Sequence, residues 1–201
     1  MAYRMSFTNG SLFYTESLAL LAIYRELGSW EETKVASNER NILQSRKKSS
    51  ETRNIREISH RLRELTEEQL VLLSEGGRTE QLQMLWLAAA KRYQFIREFG
   101  EEIVREKYLK LDYLLSYDDF DSFFNAKAEW DDGLDGLSES TRKKIRQVLF
   151  RMLHEAEILT AGNMIVPTIL GAETARVIQA DDPALFAVYP ISDMDIQEWT
   201  R

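Results

Sequence analysis

The chain has 201 residues, 44% of them hydrophobic and 29% charged, which is the composition of an ordinary globular protein. It contains no cysteine and two histidines, which excludes a disulfide framework, a thiolate zinc site, a cysteine nucleophile and a histidine-rich metal site. A chain of this length can bury roughly 70% of its unfolded surface, so it requires neither a metal nor a cross-link to fold.

The net charge of −7 conceals an asymmetry along the chain. Residues 1–63 contain 11 Lys and Arg against 7 Asp and Glu, whereas residues 64–201 contain 15 against 26. Such a division indicates an anionic partner for the first part. The first ten residues lack the apolar core of a signal peptide, and no apolar run approaches the ~20 residues that span a bilayer. We therefore expect a cytoplasmic protein without a membrane partner.

Four helices are predicted in the first part of the chain. The first, Ser11–Leu27, ends at Gly28, which suits a left-handed cap. The second, Ser29–Asn41, is more polar, and Trp30 and Val35 are predicted to face inward. The third begins at Ser49 or Ser50 and runs to about Leu65, and its buried edge contains Ile55, Ile58, Leu62 and Leu65. Thr66 caps a fourth, short helix that ends at Gly76 and Gly77.

Longer helices are predicted next. Residues 79–111 form one long helix whose first half, LQMLWLAAA, is apolar nearly all round and central, and Gly100 kinks or divides it. Asp118 or Asp119 caps the following helix, and residues 131–136 form a loop. The next helix carries a buried stripe composed of Ile145, Val148, Leu149, Met152 and Leu153.

The period of the pattern changes after this helix. Apolar triplets flank Ala161-Gly162-Asn163, which predicts a short β-hairpin at residues 158–166, and short helices follow at 173–179 and 183–188. A hairpin directly after a basic helix is also typical of the wing of a winged helix-turn-helix. We predict a mainly α, multi-helix bundle with this single hairpin, divided into a helical part at 1–78 and a second at 79–201.

A basic stripe lies on the third predicted helix. Arg53, Arg56, His60 and Arg63 recur at i, i+3, i+7 and i+10, opposite the buried edge, and three cations precede them: Arg46, Lys47 and Lys48. Nucleic-acid contact, protein contact and a solvated face all fit this pattern. Glu57 and Glu64 can neutralise part of the stripe by i,i+4 pairing with Arg53 and His60.

A second basic cluster contains Arg142, Lys143, Lys144 and Arg146, at the predicted start of a helix. Cations in a first turn oppose the helix dipole, and an external phosphate at that position would relieve the conflict. A solvated basic face is the alternative interpretation. Phe150 lies between these cations on the helix; it can stack on a base, although packing against a neighbouring element is favoured.

No motif predicts catalysis. The dense carboxylates follow the positions of caps and loops, which favours structural roles over a magnesium-dependent nuclease site: Asp118, Asp119, Asp121, Glu129, Asp131, Asp132 and Asp135. His154 is interpreted as a helix-end residue, and neither a glycine-rich phosphate loop nor a nucleophile elbow occurs. We therefore expect a protein that is not an enzyme and that has no cofactor or metal.

Several blocks of the sequence together resemble one family. They are YRMSFTNGSLF, NILQSRKKSSETRNIREISHRL, WLAAAKRYQFIREFGEEIVREKYL and FFNAKAEW with STRKKIRQVLFRMLHEAEIL, in order over most of residues 3–170. This combination resembles the BrxA family, a small component of the BREX bacteriophage-exclusion systems. The resemblance implies a helical protein likened to the NusB-type antitermination fold, expected to bind nucleic acid, without a catalytic motif to transfer.

Two functions from different classes are compatible with these observations. The first is a nucleic-acid-binding accessory protein, with duplex DNA favoured and an antitermination-like RNA-binding function as a variant. The second is an adaptor whose helical surface binds another BREX protein. The salt dependence of binding to duplex DNA separates the two.

Overall fold

The computed structural model describes residues 3–7, 10–40, 42–43 and 48–200. The first four helices pack around one another near the N-terminal end; they are α1 (Tyr14–Leu27), α2 (Trp30–Glu39), α3 (Lys48–Leu62) and α4 (Glu67–Glu75). Gly28 ends α1 with φ 69°, as predicted. Thr66 and Gln69 form a reciprocal capping box at the start of α4.

The inward face of α2 differs from the prediction at Val35. The Val35 side chain is 59% exposed, whereas Thr33 and Ser37 are buried. The reason is geometric, because Thr33 and Ser37 are four residues apart on the face that meets α1 and α3. Trp30 packs as predicted and stacks on Tyr24 with ring centroids 4.0 Å apart.

The long helix predicted at 79–111 is divided at Tyr93. Its parts are α5 (Arg78–Arg92), α6 (Gln94–Phe99), a π-helical turn (Gly100–Arg105) and α7 (Glu106–Leu109). The backbone of Tyr93 is extended, with φ −121° and ψ 101°, and so ends α5. At Gly100 the helix changes to π geometry, and a Cβ there would lie 3.0 Å from the Val188 carbonyl oxygen.

The remaining helices are α8 (Tyr117–Ala128), α9 (Asp132–Asp135), α10 (Glu139–Glu155), α11 (Ala172–Asp181), a 3₁₀ helix (Pro183–Val188) and α12 (Asp193–Trp199). The cap of α8 is Ser116 and not Asp118 or Asp119: the Ser116 hydroxyl accepts from the Asp119 amide, and the Asp119 carboxylate accepts from the Ser116 amide. Asp131 likewise caps α9, a single turn within the loop predicted at 131–136.

The predicted hairpin is present in minimal form. Leu159 pairs with Ile165 in one antiparallel bridge, and the Val166 amide donates to the Ile158 carbonyl over 2.9 Å. A third segment, which the sequence pattern did not predict, adds to it: Leu114 bridges to Met164, and the Ile165 amide donates to the Tyr113 carbonyl over 2.7 Å.

One continuous apolar core connects the helices, and α5 lies at its centre. Every residue from Met84 to Ala90 is buried, and Trp86, which has no exposed surface, donates from Nε1 to the Val188 carbonyl over 2.9 Å. On one side α5 meets α1, α3 and α4, and on the other it meets α6 and α10. The division at residue 78 stays a prediction, as does the likeness to the NusB-type fold.

Candidate nucleic-acid interface

Helix α3 carries exposed cations for which the described residues supply no acidic partner. Lys48, Arg53 and Arg56 are exposed and form no ion pair within the described part of the chain. The opposite edge of α3 is buried through Ile55 and Ile58, as predicted. The helix therefore presents these cations to solvent. Arg46 and Lys47 lie outside the described residues.

The two glutamates expected to neutralise this stripe have other partners. Glu57 accepts from Arg61 Nε over 2.8 Å, and Glu64 pairs with Arg92 at 2.9 Å. The predicted i,i+4 pairings with Arg53 and His60 are therefore wrong. Within the stripe, Arg63 forms an ion pair with Glu31 at 2.5 Å.

The cations of α10 occupy a different environment from the one predicted. Helix α10 begins at Glu139, with Ser138 as its cap, so its first turn carries an acid, as the dipole favours. Arg142, Lys143, Lys144 and Arg146 come after this turn. The prediction of cations at an unfavourable helix start was wrong, because the helix begins three residues before Arg142.

Asp121 of α8 binds both arginines of this cluster. Arg142 lies 3.2 Å and Arg146 2.5 Å from its carboxylate oxygens. The two guanidinium groups also stack over rings: Arg142 over Phe124 at 4.7 Å, and Arg146 over Tyr117 at 4.4 Å. These arginines connect α10 to α8 within the protein.

The two lysines of the cluster remain at the surface. Lys143 is 58% exposed and pairs with Glu139 on its own helix, and Lys144 has no ion pair within the described ranges. Phe150 is buried and meets the Tyr117 ring edge-on at 4.8 Å. The favoured prediction that Phe150 packs against a neighbouring element is confirmed.

A cup of about 340 Å³ opens beside the α3 stripe. The N-terminal segment forms one wall, α3 another and the end of α5 a third. Its lining contains five basic side chains and one acidic side chain. The lining residues are Arg4, Ser6, Phe7, Gly10, Arg53, Asn54, Arg56, Glu57, His60 and Arg92. The sequence pattern identified Arg53, Arg56 and His60, but neither Arg4 nor Arg92, because these two belong to other elements.

A buried arginine holds the wall of this cup in place. Arg61 is 3% exposed, and its guanidinium donates to Glu57 and, over 2.7 Å, to the Ser11 carbonyl. The Glu57 carboxylate also accepts from the Tyr93 hydroxyl over 2.5 Å. Gly10 permits this close approach, since a Cβ there would lie 2.8 Å from an Arg61 nitrogen.

The pKa values of His60 and Tyr93 reflect the burial and the charges at the cup. Burial, followed by the positive charge of Arg92, lowers the pKa of His60. Burial and the neighbouring Glu57 raise the pKa of Tyr93 to about 12, so Tyr93 keeps its proton and donates to that carboxylate. At His60, burial and the positive charge of Arg92 therefore both disfavour a further cation.

The dense carboxylates have structural partners where the structure describes them. Asp119 and Asp131 accept from amides at the starts of helices α8 and α9, and Asp121 holds the two arginines of α10. Across the described residues, no helix has both the length and the apolar character needed to cross a membrane.

The fold and surface together define a mainly helical protein that exposes helix cations without an acidic partner in the part of the chain that the structure describes. Among solved structures, the crystal structure of an uncharacterized protein from Magnetospirillum magneticum has a TM-score of 0.81 with this chain at 18% identity. The match covers 94% of this chain and 100% of the other, and at this identity it shows a shared fold. No curated protein matches the chain.

A comparison of the chain with the sequence profiles of protein families identifies its family. Residues 1–182 match the sequence profile of the BrxA family, and the chain belongs to that family. The predicted membership is confirmed, and it associates the protein with BREX bacteriophage defence.

Proposed function

We propose that the chain binds double-stranded nucleic acid, duplex DNA above all, as an accessory protein of a BREX system. The observation that carries the proposal is the set of exposed cations on α3, Lys48, Arg53 and Arg56, which have no acidic partner among the described residues. Acidic residues outnumber basic ones in this chain, 33 to 26, and almost all other described cations have an acidic partner. Unpaired cations in such a chain are available to phosphates.

Further cations extend the proposed surface from α3. His60 and Arg63 continue the stripe, and Arg46 and Lys47 precede it in the sequence. On α10, the contribution rests mainly on Lys143 and Lys144, because Asp121 occupies Arg142 and Arg146. No side chain is assigned to base recognition, so the contacts are to phosphates and carry little sequence preference.

The test measures binding of the full chain to a dumbbell DNA, a duplex whose two ends are closed by loops, at several salt concentrations. Each lost phosphate contact reduces the slope of log K against log salt by about 0.9. Replacing Lys48, Arg53 and Arg56 together by Gln is expected to weaken binding to all sequences and to flatten this slope. The fold is expected to persist, since all three side chains are exposed.

A charge-matched control separates a specific surface from overall charge. Lys110, Arg151 and Arg176 are exposed on other elements, and replacing all three by Gln removes the same charge. This control is expected to bind more tightly than the α3 variant. Equal weakening by both variants, or no binding by the unmodified chain at about 50 mM salt, would contradict the proposal.

An adaptor function has one observation in its favour. Leu114 and Met164 pair on the short β-ladder and are 52% and 42% exposed, so they place adjacent apolar side chains in solvent. Apolar surface of this kind is typical of protein–protein contacts. An affinity for another BREX protein that is insensitive to salt and is lost on replacing Leu114 and Met164 by Ser would support the adaptor.

A further inference from the structure

The unpaired arginines of this protein are concentrated at one place. Among the described residues, the arginines without an ion pair are Arg4, Arg53, Arg56 and Arg151. All of these except Arg151 line the cup between the N-terminal segment and α3. They come from two separate elements, so the helical period of α3 alone does not explain their meeting.

The charges around the cup leave a positive excess. Glu57, the acidic residue of its lining, already accepts from Arg61 and Tyr93. Arg92 is balanced by Glu64, but its Nε is buried and has no hydrogen-bond partner within the described residues. Arg4, Arg53 and Arg56 therefore remain uncompensated, and a buried donor beside them lacks an acceptor.

The size of the cup suits a small organic anion better than a simple ion. Its volume of about 340 Å³ falls at the lower end of the roughly 300–1,000 Å³ typical of ligand pockets. Phe7 is fully buried behind the lining, and Asn54 adds an amide that can donate and accept. The organic group of a phosphate ester can contact this amide and the aliphatic parts of the arginine side chains.

We propose that this cup binds a phosphate monoester. A monoester carries a charge of about −1.5 to −2 at pH 7, which matches the uncompensated arginines better than the single charge of a backbone phosphodiester. Guanidinium groups also bind phosphate oxygens in bidentate geometry. A free nucleotide and the terminal phosphate of a nucleic-acid strand share this chemistry. The proposal extends the proposed function beyond backbone contacts to one defined group.

The experiment uses calorimetry on the full chain with inorganic phosphate, a nucleoside monophosphate, and one hairpin DNA prepared with either a 5′-phosphate or a 5′-hydroxyl. Binding of the phosphorylated hairpin is expected to exceed that of the hydroxyl form by about tenfold, equivalent to about 1.4 kcal/mol. Replacing Arg53 and Arg56 by Gln is expected to abolish this difference and the binding of the small phosphates. Arg4→Gln tests the same cup from another element.

The control is Arg151→Gln, which removes the unpaired arginine that lies outside the cup and is expected to retain all binding. Thermal unfolding of each variant confirms that it is folded. Binding of the monophosphate with equal affinity for the two hairpins supports the cup with a free nucleotide as its ligand. A preference for the phosphorylated hairpin supports a strand end.

The proposal is overturned if the chain neither binds a small phosphate nor prefers the phosphorylated hairpin. It is also overturned if these properties persist in the variants of the cup arginines. The dumbbell DNA used above has no terminal phosphate, so its binding tests the proposed function alone. If the dumbbell DNA binds but phosphate monoesters do not, only the proposal for the cup is overturned. If phosphate monoesters bind but the dumbbell DNA does not, only the proposed duplex-binding function is overturned.

Discussion

Arg61 shows how one buried cation organises its surroundings. Its guanidinium joins α3 to the N-terminal segment through Glu57 and the Ser11 carbonyl, and it lies over the rings of Phe13 and Tyr93 at 5.4 and 5.8 Å. In the sequence it is one more arginine of a basic helix, adjacent to the stripe but outside it. Its burial distinguishes it, because a buried charge is tolerated only when paired and hydrogen-bonded.

Arg61→Leu is expected to lower the free energy of unfolding by about 3–5 kcal/mol, because it leaves the Glu57 charge buried without its cationic partner. Urea denaturation followed by circular dichroism measures this loss. Arg63→Leu is the matched control, since the Arg63–Glu31 pair is exposed and should contribute at most about 1 kcal/mol.

Replacing Glu57 by Leu together with Arg61 should restore part of the stability lost in Arg61→Leu. Equal losses for Arg61→Leu and Arg63→Leu would show that the charge pair of Arg61 and Glu57 is not a structural element of this wall.

At the scale of elements, α8 determines what α10 offers to a partner. Asp121 lies on α8 and reaches across to Arg142 and Arg146, so half of the basic cluster of α10 is used inside the molecule. The acid and the arginines are far enough apart in sequence that no helical spacing relates them. Helices α3 and α10, which carry similar runs of cations, thus differ in how much charge is available at the surface.

Asp121→Asn is expected to release Arg142 and Arg146 and to strengthen binding to the dumbbell DNA if α10 lies within the binding surface. Each new phosphate contact should steepen the slope of log K against log salt by about 0.9. Asp132→Asn, on the exposed turn of α9, removes the same charge and serves as the control. Equal behaviour of the two variants would place α10 outside the interface and leave α3 as the proposed surface.

At the scale of the whole molecule, α5 is the central element: it packs against α1, α3, α4, α6, α10 and the 3₁₀ helix. Trp86 lies within this helix, and the Val188 carbonyl that accepts from its indole also lies against Gly100. The 3₁₀ helix, α5 and the π-helical turn consequently meet at one point in the core. The π-helical turn begins at Gly100, where the backbone of Val188 approaches closely.

Trp86→Ala is expected to destabilise the protein by about 3–5 kcal/mol, through lost packing and the cavity that remains. Chemical denaturation measures the change. Trp86→Phe retains most of the apolar volume but loses the hydrogen bond to Val188, and should cost less. Val35→Ala, at an exposed position, is expected to stay within about 0.5 kcal/mol of the unmodified protein. A loss below about 1 kcal/mol for Trp86→Ala would show that this face is not the core.

The sequence by itself determined the helical class, most helix positions, the buried edges of α3 and α10, the Gly28 and Thr66 caps and the place of the short hairpin at residues 158–166. These features depend on neighbours within a few residues, where propensity, capping and the 3.6-residue period act directly. The family blocks lie in the same segments, which is why the family could be predicted.

Only the tertiary structure decided which cations are free. Asp121 pairs with Arg142 and Arg146, Glu31 pairs with Arg63, and Arg4 and Arg92 join α3 around the cup. Tertiary contacts also decided the division of the predicted long helix at Tyr93, because the Tyr93 ring packs on Phe7 and its hydroxyl donates to Glu57. Each of these contacts joins segments that are distant in the chain. A charge interacts with whatever the fold brings within a few ångströms, and a helical pattern contains no information about those neighbours.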